Sequence, residues 1–153
     1  MAVCLLEIRK FTKDDFAKFH PGGTLGKKLF LTIKEISDQN EKPLVKPNAS
    51  IKDVIVEISK KRLGVTAVVE NGTILGVITD GDLRRMLSKT NDFSSLCASH
   101  IMSENPKTMD CNALAVDARS LMEAHEISQL LVLKDKKYSG VIHIHDLIKE
   151  GII

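Results

Sequence analysis

The sequence predicts an α+β protein made of two β-α-β-β-α units packed as a pseudo-twofold pair behind a helical connector. Two observations predict this. The stretch PLVKPNASIKDVIVEISKKRLGVTAVVENGTILGVITDGDL (43–83) lies over PKTMDCNALAVDARSLMEAHEISQLLVLKDKKYSGVIHIHDL (106–147), and in each copy the apolar pattern passes from helical to strand period in the same order. A single copy of about 60 residues buries too little apolar surface to stand alone, so the two are expected to share one core, sheet against sheet, with clefts between them for small ligands.

Taken in order, residues 1–36 read as a connector ending beyond FHPGGTLGKKL (19–29), residues 37–92 as the first unit and residues 93–153 as the second. The glycines Gly22, Gly23 and Gly26 match neither a dinucleotide fingerprint nor a P-loop. The first unit opens with an extended PLV. A helix follows, capped by Ser50 with Asp53, striped by Ile51, Val54, Ile55 and Ile58, and stopped at Gly64. Two β-branched runs, VTAVVE and TILGVIT, then flank Asn71-Gly72, a strong hairpin signal because both positions tolerate positive φ. A last helix starts near Asp82. The second unit repeats the plan: PKTM, a helix with Leu114, Ala118, Leu121 and Met122 on one face, the strands SQLLVL and YSGVIHI, and a helix near Asp146. With Pro43 laid on Pro106, the one extra residue is expected in the second hairpin turn, Asp135-Lys136-Lys137.

Composition removes several classes of function. Lys and Arg number 22 against 20 Asp and Glu, a net charge of +2, too small to hold a nucleic-acid backbone by phosphate neutralisation. With no Trp and one Tyr, stacking on single-stranded bases has little to work with. Cys4, Cys97 and Cys111 form neither a disulfide framework nor a zinc pattern. The opening MAVCLLEIRK is no signal peptide and no later run reaches the length of a membrane span, so a cytoplasmic protein is expected, without nucleic-acid or membrane partners.

GVITDGDLRR and GVIHIHDLIKEG, each closing a β-α-β-β-α unit, resemble the ends of two CBS motifs, and the pair resembles a Bateman module. With FHPGGTLGKKL in front, the chain is similar to the arabinose-5-phosphate isomerases of the KpsF/GutQ type, in which a SIS sugar-isomerase domain precedes the pair. The stretch AVCLLEIRKFTKDDFAKFHPGG resembles the last helix of that domain and its connector. The resemblance implies a parent enzyme that interconverts ribulose 5-phosphate and arabinose 5-phosphate by general acid–base catalysis. It ties His20 to that chemistry in the context of the SIS domain; the present chain alone is expected not to isomerise. It also implies a homodimer through the CBS pairs, with a tetramer open to the intact enzyme.

The resemblance further implies Thr79 and Asp82 as nucleotide contacts, the carboxylate accepting from a ribose. Read by itself, without the resemblance, Thr79-x-x-Asp82 is a helix-start cap before it is a ligand site. In the second copy His143 stands where Thr79 stands in the first, and Asp146 is retained, which suits a different, acidic ligand. Arg84 and Arg85 can balance phosphates, or belong to a solvated helix face. His143 and His145 would share one strand face, yet no third ligand stands near them in sequence. No metal and no cofactor is expected. The expected ligand is a nucleotide or nucleotide sugar, CMP-Kdo or an adenine nucleotide.

Overall fold

A computed structural model describes residues 23–153 of the chain. His20 and the stretch read as the last SIS-domain helix lie outside the described residues. The described elements are α1 (Thr24–Phe30), α2 (Ile33–Ser37), β1 (Leu44–Val45), α3 (Ile51–Lys61), β2 (Val65–Glu70), β3 (Thr73–Thr79), α4 (Asp80–Lys89), α5 (Ala98–Ile101), β4 (Ser103–Glu104), β5 (Thr108–Asp110), α6 (Ala115–His125), β6 (Gln129–Lys134), β7 (Lys137–His143) and α7 (Ile144–Lys149). They form the predicted α+β arrangement, with sheets ordered β1-β2-β3-β4 and β5-β6-β7. In each, a parallel pair precedes an antiparallel hairpin.

Strand period sorts the side chains of β2. Val65, Ala67 and Val69 face the other repeat and meet Leu131 and Val141 in the shared core, while Val68 packs with Val54, Ile58 and Ile78 beneath the helices of its own repeat. The second repeat has its own helix-side core around Met122, Leu130, Ile142 and Leu147. Each fully buried aliphatic side chain of this kind contributes roughly 1.5–3 kcal/mol. The repeats are also joined by polar contacts: the Tyr138 hydroxyl donates to the Pro43 carbonyl at 2.7 Å, and its backbone N–H to Gly72 at 2.9 Å. Burial, reinforced by Glu57, pushes the Tyr138 phenol up, so it remains a donor.

The least local feature is a reciprocal exchange of lead-in helices. Helix α2 precedes the first repeat but joins the core of the second through Ile33 and Ile36, while α5, which precedes the second repeat, joins the core of the first through Ala98. The backbone bonds repeat as well: Ile33 donates to Ala113 and Lys34 to Cys111, as Ala98 donates to Ala49 and Ser99 to Pro47. After α5 the chain extends as β4 along β3. After α2 it keeps turning instead, and the Asn40 side chain donates to the Val141 carbonyl at 3.1 Å. That substitution accounts for four strands in one sheet and three in the other.

Three expectations on detail are corrected. Helix α3 ends at Lys61 and is capped by Arg62, which takes the left-handed conformation (φ 59°) two residues before Gly64. Leu114 is the N-cap of α6 and not part of its apolar face. The second hairpin turn is Asp135-Lys136, both with positive φ, matching Asn71-Gly72 residue for residue. The extra residue therefore lies before the unit: Pro43 O accepts from Ala67 as Lys107 O accepts from Leu131, so Pro43 corresponds to Lys107. Backbone pairing with the strands, and not proline identity, sets the register.

Thr66 is wholly buried on the helix side of β2 and its hydroxyl has no hydrogen-bond partner. An unpaired hydroxyl in an apolar site is a net cost. Thr66→Val is accordingly expected to stabilise the protein by about 1 kcal/mol, read as a rise in the urea unfolding midpoint.

Candidate functional site

Two cavities meet at the junction of β3, α4 and β4. The first is a cleft of about 230 Å³ between the repeats. Val65, Val77, Ile127, Leu131 and Pro106 give it apolar walls, while Thr79, Ser103, Asn105, Lys107, Glu104 and Gln129 supply polar groups. The second, of about 280 Å³, lies between α4 and α5. Thr79 and Ser103 line the first and Asp82 the second. Ser103 donates to Asp82 at 3.1 Å, so this hydrogen bond belongs to the wall between them.

Asp82 sits in that wall because Thr79 ends β3 in extended conformation and caps α4. The Thr79 N–H and hydroxyl both donate to one Asp82 oxygen at 2.8 Å. Arg85 and Ser103 donate to the other. Burial raises the carboxyl, but the bonds from Thr79, Arg85 and Ser103 outweigh it and hold Asp82 below the ordinary carboxylate range. With 7% of its surface exposed, it displays the capping half of the sequence reading. A ribose would have to displace Arg85 and Ser103 to reach it. Arg84 lies outside both cavities, exposed, and donates to the Asp80 carbonyl.

The second repeat keeps the frame with different groups. His143 takes the N-cap position, its Nδ1 accepting from the His145 N–H at 3.1 Å, while its own N–H donates to Asp146 at 2.7 Å. Asn40 donates to the same Asp146 oxygen at 2.7 Å. Against expectation the two histidines do not share a strand face, because β7 ends at His143 and His145 lies in the first turn of α7; their rings stack with centroids 4.7 Å apart. Asp146 borders a cavity of about 110 Å³ with Asn40, Lys149 and Glu150.

The capping geometry requires an unprotonated His143 Nδ1. Burial and the neighbouring His145 push its pKa below the ordinary 6.5, against the opposing pull of Asp146. The unfolded chain then takes up the proton first, so this contribution to stability is present above about pH 6.5 and is lost as the pH falls. Replacing His143 with Ser, which can accept at the cap but does not titrate, is expected to flatten the stability profile between pH 7 and 5; an unchanged slope would refute this.

The decisive comparison concerns the whole duplicated frame: the family model described as "CBS domain" matches residues 33–89 and 98–152. The chain belongs to the CBS domain family. Solved CBS domains agree in fold. The CBS domain NE2398 aligns with a TM-score of 0.71 at 22% identity, over 80% of this chain and 98% of its own. PAE2072 from Pyrobaculum aerophilum, a CBS domain protein solved in complex with AMP, aligns with a TM-score of 0.69 at 21% identity, over 76% and 90%. Among curated proteins, arabinose 5-phosphate isomerase KdsD of Yersinia pestis is 41% identical over all of this chain, and that of Francisella tularensis 42% identical over 97%. This CBS pair spans 47% and 46% of the lengths of those relatives.

Of the sequence-derived candidates, then, only Thr79 lines the CBS cleft; Asp82 and Arg85 turn to the outer cavity, and His143 and Asp146 belong to the second repeat's frame. Sequence reasoning missed Ser103, Lys107, Ile127 and Gln129. A local signal existed for one pair: Ile127 and Gln129 bracket the step from helix to strand, where the first repeat carries Leu63 and Val65.

Proposed function

We propose that this CBS pair is the regulatory ligand-binding region of an arabinose-5-phosphate isomerase and that its inter-repeat cleft binds a nucleotide or nucleotide sugar. The observation that carries the reading is the composition of the cleft. Apolar walls from both repeats suit a planar base, and Thr79, Lys107 and Gln129 suit its polar substituents and phosphate. Support comes from the AMP complex of PAE2072 and from the KdsD similarity over the full chain. The KdsD likeness makes CMP-Kdo the proposed physiological ligand, with an adenine nucleotide as the competing one. The ligand would bias a preceding SIS domain, where His20 would act, and a coupling of roughly 1–3 kcal/mol would change substrate affinity about 5- to 150-fold.

The test is a thermal-shift titration with CMP-Kdo, CMP, AMP and ATP on this chain and on Gln129→Ala. At a hundredfold excess over Kd, a bound ligand adds about 2.7 kcal/mol, a rise of several degrees. A shift by one compound, reduced in the variant, supports the reading. No shift with any of the four, together with unaltered isomerase activity of the intact enzyme in CMP-Kdo, refutes it.

A second reading, an assembly module without a ligand, draws on Val56, Leu87 and Ile148, which are 55%, 47% and 49% exposed on α3, α4 and α7. Both readings place the protein in the cytoplasm as a homodimer. They part on the titration.

A further inference from the structure

The cavity between α4 and α5 is distinct from the cleft and differs from it in chemistry. Its floor is Met86, Leu96 and Ile101, and its remaining lining includes Arg85, Lys89 and His100. On α4 the positions of Asp82, Arg85, Met86 and Lys89 fall three and four apart, which brings them to one helix face. Asp82 is the single acid of the lining, and its oxygens are already engaged by Thr79, Ser103 and Arg85. Arg85 spends one nitrogen on it and keeps the rest of a five-donor fork. Lys89 has no ion-pair partner among the described residues.

The duplication supplies an internal comparison. The corresponding cavity of the second repeat has the same helical frame and about 110 Å³. There Glu150 stands for Met86 and Lys149 for Arg85 in the lining, and Ile36 for Ile101 on the exchanged helix, while Ile153 and Glu35, which match Lys89 and His100 in the repeat, lie outside it. The cavity that carries Arg85, Lys89 and His100 over an apolar floor in one copy is therefore smaller in the other and keeps one cation in its lining, Lys149, beside Asp146 and a Glu150 that pairs with Lys27 at 2.8 Å.

We propose that the α4–α5 cavity is a second binding site, selective for a small phosphomonoester, with Arg85 and Lys89 holding the phosphate, His100 donating to it and the apolar floor receiving the carbon skeleton. A guanidinium fork with a second cation matches a dianionic phosphate better than a single carboxylate. The phosphate belongs either to a free metabolite or to a nucleotide, and the experiment separates these. This site goes beyond the cleft reading and does not depend on it.

The test is calorimetric titration of the chain with inorganic phosphate, ribose 5-phosphate, adenosine and AMP at low salt, repeated on the double variant Lys89→Gln/His100→Gln, which leaves the Asp82 contacts in place. Lys60→Gln, an exposed cation on α3, is the control. Saturable binding of phosphate and ribose 5-phosphate, weakened at least tenfold in the double variant and unchanged in the control, supports a site for free phosphomonoesters. AMP binding weakened tenfold while adenosine binding persists, with no binding of free phosphate, assigns the site to a nucleotide's own phosphate. The proposal is overturned if no phosphate-bearing probe binds, or if binding is the same in the double variant. Adenosine binding by itself bears on the cleft, so the two readings fail separately. Binding at this site should also weaken as ionic strength rises.

Discussion

Asp82→Ala is expected to destabilise the ligand-free protein by about 3 kcal/mol, a fall in Tm of roughly 6–12 °C for a domain of this size. Loss of an N-terminal capping interaction alone costs about 0.5–2 kcal/mol, and this carboxylate does more than cap. It gathers the Thr79 N–H and hydroxyl, Arg85, and Ser103 at the edge of β4. Removing it also takes away the acceptor of the Ser103 hydroxyl, on an exposed residue of β4, and so loosens the join between α4 and the fourth strand. Asp82→Asn should recover only part of the loss, because an amide presents one acceptor oxygen where the carboxylate presents two. Acid titration gives an independent check. The carboxyl lies below its ordinary range, so its contribution is present above about pH 4 and is lost as the pH falls further; Asp82→Ala should lack that component. Urea unfolding at neutral pH decides the matter: a variant within 0.5 kcal/mol of the parent would show that the carboxylate is not structural and would return it to a ligand role. The expectation also bears on function. A binding defect in an Asp82 variant would be ambiguous, which is why Gln129, inside the cleft and outside the cap, serves as the probe.

What could be read from the sequence was whatever is encoded locally. The strands β2 and β3 fall on VTAVVE and TILGVIT, and Asn71-Gly72 turns between them with both φ values positive. The Ser50 cap on Asp53 is present as well. The stop of α3 escaped because Arg62 adopts the left-handed conformation that the rule assigns to glycine. The exchange of α2 and α5 was illegible for a different reason: each is a short helix that joins the core of the repeat it does not lead into, α2 that of residues 111–152 and α5 that of residues 45–86, and nothing in a local period says which of two similar cores will receive it. Ser103 was hidden from the site in a related way. Its role depends on β4 running beside Gly76 and Val77, and a two-residue strand leaves no periodic trace.

That fourth strand makes the two copies answer differently to one and the same substitution, and Gly76→Ala against Gly140→Ala measures it. A Cβ at Gly76 would stand 2.7 Å from the Met102 sulfur and 2.9 Å from the Ser103 carbonyl oxygen. Met102 is flexible and can withdraw. The carbonyl belongs to β4, whose residues Ser103 and Glu104 are paired with Val77 and Gly76, so the strand itself must shift. Overpacking of this kind costs about 1–3 kcal/mol, and because Ser103 and Glu104 line the cleft, ligand affinity should fall with stability. At Gly140 the nearest atoms to the same Cβ are the Ser37 Cβ at 3.7 Å and the Lys42 Cγ at 3.8 Å, ordinary contact distances. There alanine restricts the unfolded chain without a clash, and Gly140→Ala is expected to be neutral or stabilising by up to about 1 kcal/mol. Two chemically identical changes at matching positions should thus differ by about 2–3 kcal/mol in paired unfolding experiments. Equal effects would mean that β4 does not press on Gly76, and with it would go the wall that separates the cleft from the cationic pocket.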